Sequence, residues 1–378
     1  MGWMKTAPAL LLSLLAACAP AAPRRVLAPA APPVAAPTPV VRPAGAAIAP
    51  GPAGWRRFPA PGPAGTPVVA WSHRLDGPVT EELVTDGAHI FVVAAGRVHC
   101  FDRTGVERWR SAVGATGAPT VDGARLMVPG PNGKIIVVGL EDGLIQQEIE
   151  AGGAVVGATF PVEGGVAWAT AGGALRGIKG WSLQASDSIS HGPSSDGWSY
   201  FYPTATAELI SGQADRVRWR AVLPGPALSS PVVAEGRILS TYAGTQGGPG
   251  GLIALSPETG LEIWRTPLDG GPTGGLALGA VLVVGDTDGA LVGVDPARGT
   301  IRWTAPIDGA VSTAPALGSY GLYVGNADGR LHRFDPDDGG ESWSLPLGAT
   351  VSSGPIVVGD LVVVGLMDGS LVAVGGGG

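Results

Sequence analysis

The chain has 378 residues, of which 62 are glycine and 35 proline, and only 15% are charged. So many turn-forming residues beside plentiful Val, Leu and Ile exclude a helix bundle and favour many short strands joined by tight turns. All 31 acidic residues lie after position 65, with 18 of the 24 basic ones, so the body beyond that point carries a net −13. An acidic body without a lysine or arginine cluster repels phosphates, which excludes nucleic acid as a partner.

In chain order, residues 1–17 read as an export signal: Lys5, then an apolar run from Ala7 to Ala17. As a helix, eleven residues reach only about 16 Å, too short for a hydrocarbon core of roughly 30 Å. Leu15-Ala16-Ala17-Cys18 resembles the bacterial lipobox, which implies lipidation at Cys18 and retention on a membrane by buried acyl chains. Ala19 stands where lipoproteins kept at the inner membrane commonly carry aspartate, which points to the outer membrane with the body facing the periplasm. Residues 18–65 read as the lipid anchor and a disordered Ala/Pro-rich tether. Proline disfavours helix and sheet and holds an extended polyproline conformation, about 145 Å long at full stretch.

Beyond residue 65 one unit recurs. Gly251-Leu-Ile-Ala-Leu-Ser-Pro-Glu-Thr-Gly260 ends four residues before Trp264, and the same spacing joins Gly105 to Trp109, Gly299 to Trp303 and Gly339 to Trp343. Gly177/Trp181 and Gly143/Gln147 are weaker copies. Asn132-Gly133, Asp288-Gly289, Asp328-Gly329 and Asp368-Gly369 supply the positive φ angles of two-residue hairpin turns. The apolar runs Val281–Val284 and Leu361–Val364 fit strands buried on both faces, and the tryptophans are suited to sealing one unit against the next. Markers at 71, 109, 147, 181, 219, 264, 303 and 343 recur at the period of propeller blades. The last unit lacks its tryptophan strand, and Pro67-Val-Val-Ala-Trp71 can supply it, closing the ring. The prediction is an all-β, eight-bladed β-propeller of four-stranded antiparallel blades over 66–378.

The Gly-x-Leu-x-x-Leu-Asp-Pro-x-x-Gly-x-x-x-Trp unit resembles the pyrroloquinoline-quinone (PQQ) repeat, clearly at 66–145 and 226–375 and faintly across 146–225. Two branches carry that repeat: quinoprotein dehydrogenases, and BamB-type lipoproteins that help assemble outer-membrane β-barrel proteins. The first would need donors for PQQ and calcium, a catalytic carboxylate and, in many members, adjacent cysteines. This chain has only Cys18 and Cys100, and Cys100 sits at a repeat position otherwise held by Val137, Ala254, Gly293 and Ala373, a core thiol. Asp288, Asp328, Asp368, Asp295 and Asp335 recur at turns around the ring and do not converge. The histidines lack ligand spacing, and His99 and His332 are equivalent strand positions. No catalytic residue, metal site or cofactor is expected.

The resemblance therefore implies a non-enzymatic, lipid-anchored scaffold, monomeric by itself, that binds a protein of the envelope, such as the β-barrel assembly machinery. The alternatives are a PQQ-dependent oxidoreductase and a propeller binding a small ligand or glycan. Trp198, Tyr200, Phe201 and Tyr202 crowd together where the repeat fades; exposed, they form the candidate interaction surface, and the alternative is a blade strand with its aromatics turned inward. The insertion Ala243–Gly251 is expected as a rim loop.

Overall fold

The computed structural model describes residues 56–377 apart from Gly164, Gln246 and Gly247. Cys18, the export signal and the tether up to residue 55 lie outside the described residues. β1 (Thr66–Arg74) precedes seven groups of four consecutive antiparallel strands, β2–β29, over residues 84–111, 120–150, 155–184, 194–222, 232–267, 277–306 and 316–346. β30 (Val351–Val358), β31 (Leu361–Leu366) and β32 (Ser370–Gly377) follow. Each group is one sheet, and β1 completes the eighth by pairing with β32, Thr66 opposite Gly377 and Arg74 opposite Ser370.

First strands of neighbouring sheets touch from blade 1 to 5, from 6 to 8, and from 8 back to 1. They therefore line the axis, and the fourth strands form the rim. Burial follows from that order. β31, in the interior of blade 8, is buried at all six positions, whereas β25 (Ile301–Pro306), a rim strand, buries Trp303 and Ala305 and exposes the rest. The expected eight-bladed β-propeller, closed by its first strand, is the observed fold.

The recurrent glycine and tryptophan make one joint. The turn leading to the rim strand places a glycine at φ between 68° and 87° (Gly105, Gly143, Gly260, Gly299, Gly339), and the tryptophan of the preceding blade lies against it. A Cβ there would come within 2.5–2.8 Å of the indole, so the position demands glycine for both conformation and room. The same turn exposes a carbonyl to the indole N–H. Trp71 donates to Arg103 O at 2.9 Å, Trp109 to Leu140 O at 2.9 Å, Trp219 to Pro257 O at 2.9 Å, Trp264 to Pro296 O at 3.0 Å and Trp303 to Pro336 O at 3.1 Å. Small residues such as Cys100, Ala254 and Gly293 stand opposite the tryptophan on the third strand because the ring covers them.

Three seams lack this joint. Between blades 2 and 3, Gln147 stands opposite Val137, and Trp168 of blade 3 fills the gap, donating to Ala151 O at 3.1 Å. Between blades 3 and 4 the sequence marker Trp181 is out of place. The turn glycine there is Gly180, and blade 3 lacks the bulge that sets the register of the docked blades, so Leu183 stands opposite Leu175. Trp181 lies two residues earlier and stacks on Tyr200 of blade 4, with centroids 5.6 Å apart and planes at 2°. Between blades 7 and 8, Trp343 Nε1 is buried without a hydrogen-bond partner. The strands that would flank its turn, β32 and β1, come from opposite ends of the body, and no turn joins them.

The hairpin expectation also needs a correction. Asn132 and Gly133 both have positive φ, as a two-residue turn requires. At Asp288-Gly289 only the glycine does, and the loop is longer: Asp286 N–H donates to Ala290 O, while its own carboxylate accepts from the amides of Asp288 and Ala290.

Candidate protein-docking surface

Of the four aromatic candidates, three belong to the core. Tyr200, Phe201 and Tyr202 lie on β15 (Tyr200–Pro203), the second strand of blade 4, which is buried on both faces. Tyr200 and Tyr202 point into the cluster shared with blade 3, and Phe201 into that shared with blade 5. Burial holds both tyrosine hydroxyls protonated, raising Tyr202 to about 12. Alternation along one strand thus assigns neighbouring aromatics to opposite seams and removes them from any outer surface.

Trp198 alone of the four faces solvent, 44% exposed, in the turn between the first two strands of blade 4. Asp196 fixes that turn by accepting the amides of Trp198 and Ser199 at 2.8 and 2.6 Å. Arg218, on the rim strand β17 (Arg216–Val222), reaches back to this turn and donates to Ser199 Oγ at 2.8 Å. Along β17, Arg216, Arg218, Arg220 and Val222 alternate outward while Val217, Trp219 and Ala221 turn inward. Sequence reasoning missed the arginines, although their i, i+2, i+4 spacing in Arg-Val-Arg-Trp-Arg was the available signal.

The same sector carries no net charge. Residues 155–222, blades 3 and 4, hold five basic and five acidic residues, so the whole −13 of the body lies on the other six blades. An exposed indole beside arginines on a neutral sector has the residue types that dominate protein interfaces.

The other candidates have structural roles. His99 and His332 are buried, and Nδ1 of each lies 2.8 Å from a glutamate of the same blade's rim strand, Glu107 and Glu341. Cys100 is a buried free thiol pushed up to about 12, chiefly by burial. Asp102 and Asp295 cap their turns through bonds to backbone amides. Among the described residues no three His, Cys, Asp or Glu side chains gather where they could hold a metal ion, and Cys100 has no neighbouring cysteine. Among the described residues, then, no clustered carboxylates offer a calcium ion its ligands.

The family model described as outer membrane protein assembly factor BamB matches residues 63–177 and 248–376, well over half of the chain. The chain belongs to the BamB family. No curated protein sequence matches it. Among solved structures, BamB from Moraxella catarrhalis superposes with a TM-score of 0.65 at 16% identity, over 82% of this chain and 98% of that one. Quinohemoprotein alcohol dehydrogenase from Comamonas testosteroni gives 0.62 at 12% identity, covering 82% of this chain and 77% of that one. A europium-containing methanol dehydrogenase gives 0.64 at 12%, covering 86% and 96%. Identities this low show the shared propeller alone. The stretch that the BamB model leaves unmatched, 178–247, contains Trp198 and all of β17.

Proposed function

We propose that this BamB-family propeller is a non-enzymatic scaffold, lipid-anchored through Cys18 at the periplasmic side of the outer membrane, that docks an envelope protein through the outer corner of blade 4. The observation carrying the reading is the pairing of exposed Trp198 with Arg218 across Ser199, on a two-blade sector without net charge. Family membership supports a role in β-barrel assembly, with acidic or carbonyl-rich partner segments best matched to the arginines. Such a surface recognises and positions; it offers no group that breaks or forms bonds.

The test is recovery of β-barrel assembly components with the full-length protein from detergent-solubilised envelopes. The unaltered chain should retain them, and the W198A/R218A double variant should lose at least about tenfold. Both proteins should keep the same melting temperature, because the two side chains are exposed or half-exposed. Equal recovery would overturn the assigned surface, and recovery by neither would overturn the assembly role. Loss of membrane association in Cys18→Ser, read by fractionation, tests the anchor separately.

A further inference from the structure

The unjoined seam between blades 7 and 8 is crossed by residues 56–62, a stretch whose composition alone assigns it to the tether. Its backbone runs parallel to β26 (Ala316–Leu317), the axial strand of blade 7. Phe58 N–H donates to Leu317 O at 2.8 Å and Leu317 N–H to Arg56 O at 2.9 Å. Ser319 and Tyr320 then donate to Ala60 O and Pro61 O at 2.9 and 3.0 Å, and Gly62 N–H donates to Gly359 O of blade 8 at 3.0 Å. Phe58, 2% exposed, belongs to the apolar cluster with Ala316, Tyr323 and Val357. Gly62 has φ 77°, and a Cβ there would collide with the Tyr323 ring.

Arg56 is the more informative contact. Its side chain is 3% exposed, a costly location for a guanidinium unless its donors are met. Nε donates to Pro315 O at 3.0 Å and Nη2 to Pro355 O at 2.7 Å, while Nη1 lies 3.1 Å from the Glu82 carboxylate. One side chain is thus gripped by blade 7, blade 8 and the entry to blade 1, all at the axis. Two carbonyls and a carboxylate converging on one planar cation form a site with the shape of an arginine receptor.

We infer that the axial seam of blades 7 and 8 is a binding site for extended Arg-x-Phe-x-x-x-Gly segments, which the chain fills with its own Arg56–Gly62 as a second fastening of the ring. The ligand class follows from the contacts: a guanidinium for the carbonyls and Glu82, an aromatic ring for the cluster, and a glycine against Tyr323. Three residues separate Gly62 from β1, so the local concentration of the strap is on the order of millimolar or above, and a free peptide gains the seat only when the strap's anchors are removed. This inference stands apart from the proposed docking surface, which lies on blade 4.

The experiment uses the full chain carrying R56A/F58A and a fluorescent synthetic peptide spanning residues 55–63. The double variant should melt about 5 °C lower than the unaltered protein. It should bind the peptide at least about tenfold more tightly than the unaltered protein does, and the peptide should restore its melting temperature. Replacing the peptide's arginine by lysine, or adding Glu82→Gln to the variant, should weaken binding by roughly tenfold. An unchanged melting temperature, or a folded variant that ignores the peptide, would overturn the inference. Hydrogen exchange on the unaltered chain guards against a variant that fails to fold. The amides of Phe58, Leu317 and Ser319 should exchange as slowly as those of β31, and exchange at the rate of an open loop would refute the strap.

Discussion

Blades 5 to 7 and blades 2 to 4 have the same four-stranded plan, yet they are joined by different means. Between blades 5 and 6, and between 6 and 7, an indole lies on a turn glycine and donates to a turn carbonyl, as Trp264 and Trp303 do. Between blades 2, 3 and 4 the seams are filled one at a time, by Trp168 reaching back to Ala151 and by Trp181 stacked on Tyr200. A propeller needs every seam sealed against water, but it does not need one sealing device. Blade 4 stands at the change of device: it receives Trp181 of blade 3 by stacking, while its own rim strand keeps the common joint, Trp219 donating to Pro257 O between the outward Arg218 and Arg220.

If docked seams hold the ring more firmly, removing one dock should cost more than removing one substitute. Trp264→Ala should lower stability by about 3–5 kcal/mol, since the side chain is buried and its loss leaves a large cavity. Urea denaturation measures it, and a cost below about 1 kcal/mol would break the comparison. Trp181→Ala should cost only about 1–2 kcal/mol, because its ring is half-buried and its stacking on Tyr200 is replaceable by Leu183 and neighbours. A cost equal to that of Trp264→Ala would show the two joints to be equivalent.

Acid should separate the seams further, with a smaller effect. Burial pushes the Asp102 carboxyl up, but bonds from Thr104, Val106 and Arg108 outweigh it and hold the group at about 2. The Arg302 hydrogen bond, against some burial, holds Asp295 at about 2 as well. Both folded values lie below the ordinary 3.8, so their contribution is complete above that pH and is lost as pH falls through about 2. Asp102 and Asp295 belong to turns that receive an indole, whereas blade 3 has Gly177 at that position. The melting temperature should therefore fall between pH 4 and pH 2, and Asp295→Asn should show a shallower fall. An identical acid profile for the variant would remove Asp295 from the account.

The ring, its blade number and its closure by β1 were legible because a glycine and a tryptophan at fixed spacing are dictated by one geometric joint repeated five times. Legibility failed where that joint was absent. Trp181 reads as a marker at the right spacing from Gly177, but the register of its strand depends on a bulge that no single residue announces. The aromatics at 200–202 read either as an interface cluster or as a blade strand with inward rings, because composition does not show which strand of a blade they occupy. Arg56 and Phe58 were hidden by surrounding prolines and alanines, and only the partners brought by blades 7, 8 and 1, more than 250 residues away for Pro315 and Pro355, reveal their role.

The pairing of β1 with β32 also orders events in time. A chain that emerges from its N-terminal end presents Thr66–Arg74 first and must keep that strand unpaired until Ser370–Gly377 has followed. Contacts across so long a separation form late and slowly. Until its last strand is made, the chain therefore has an uncovered strand edge that the finished ring no longer displays.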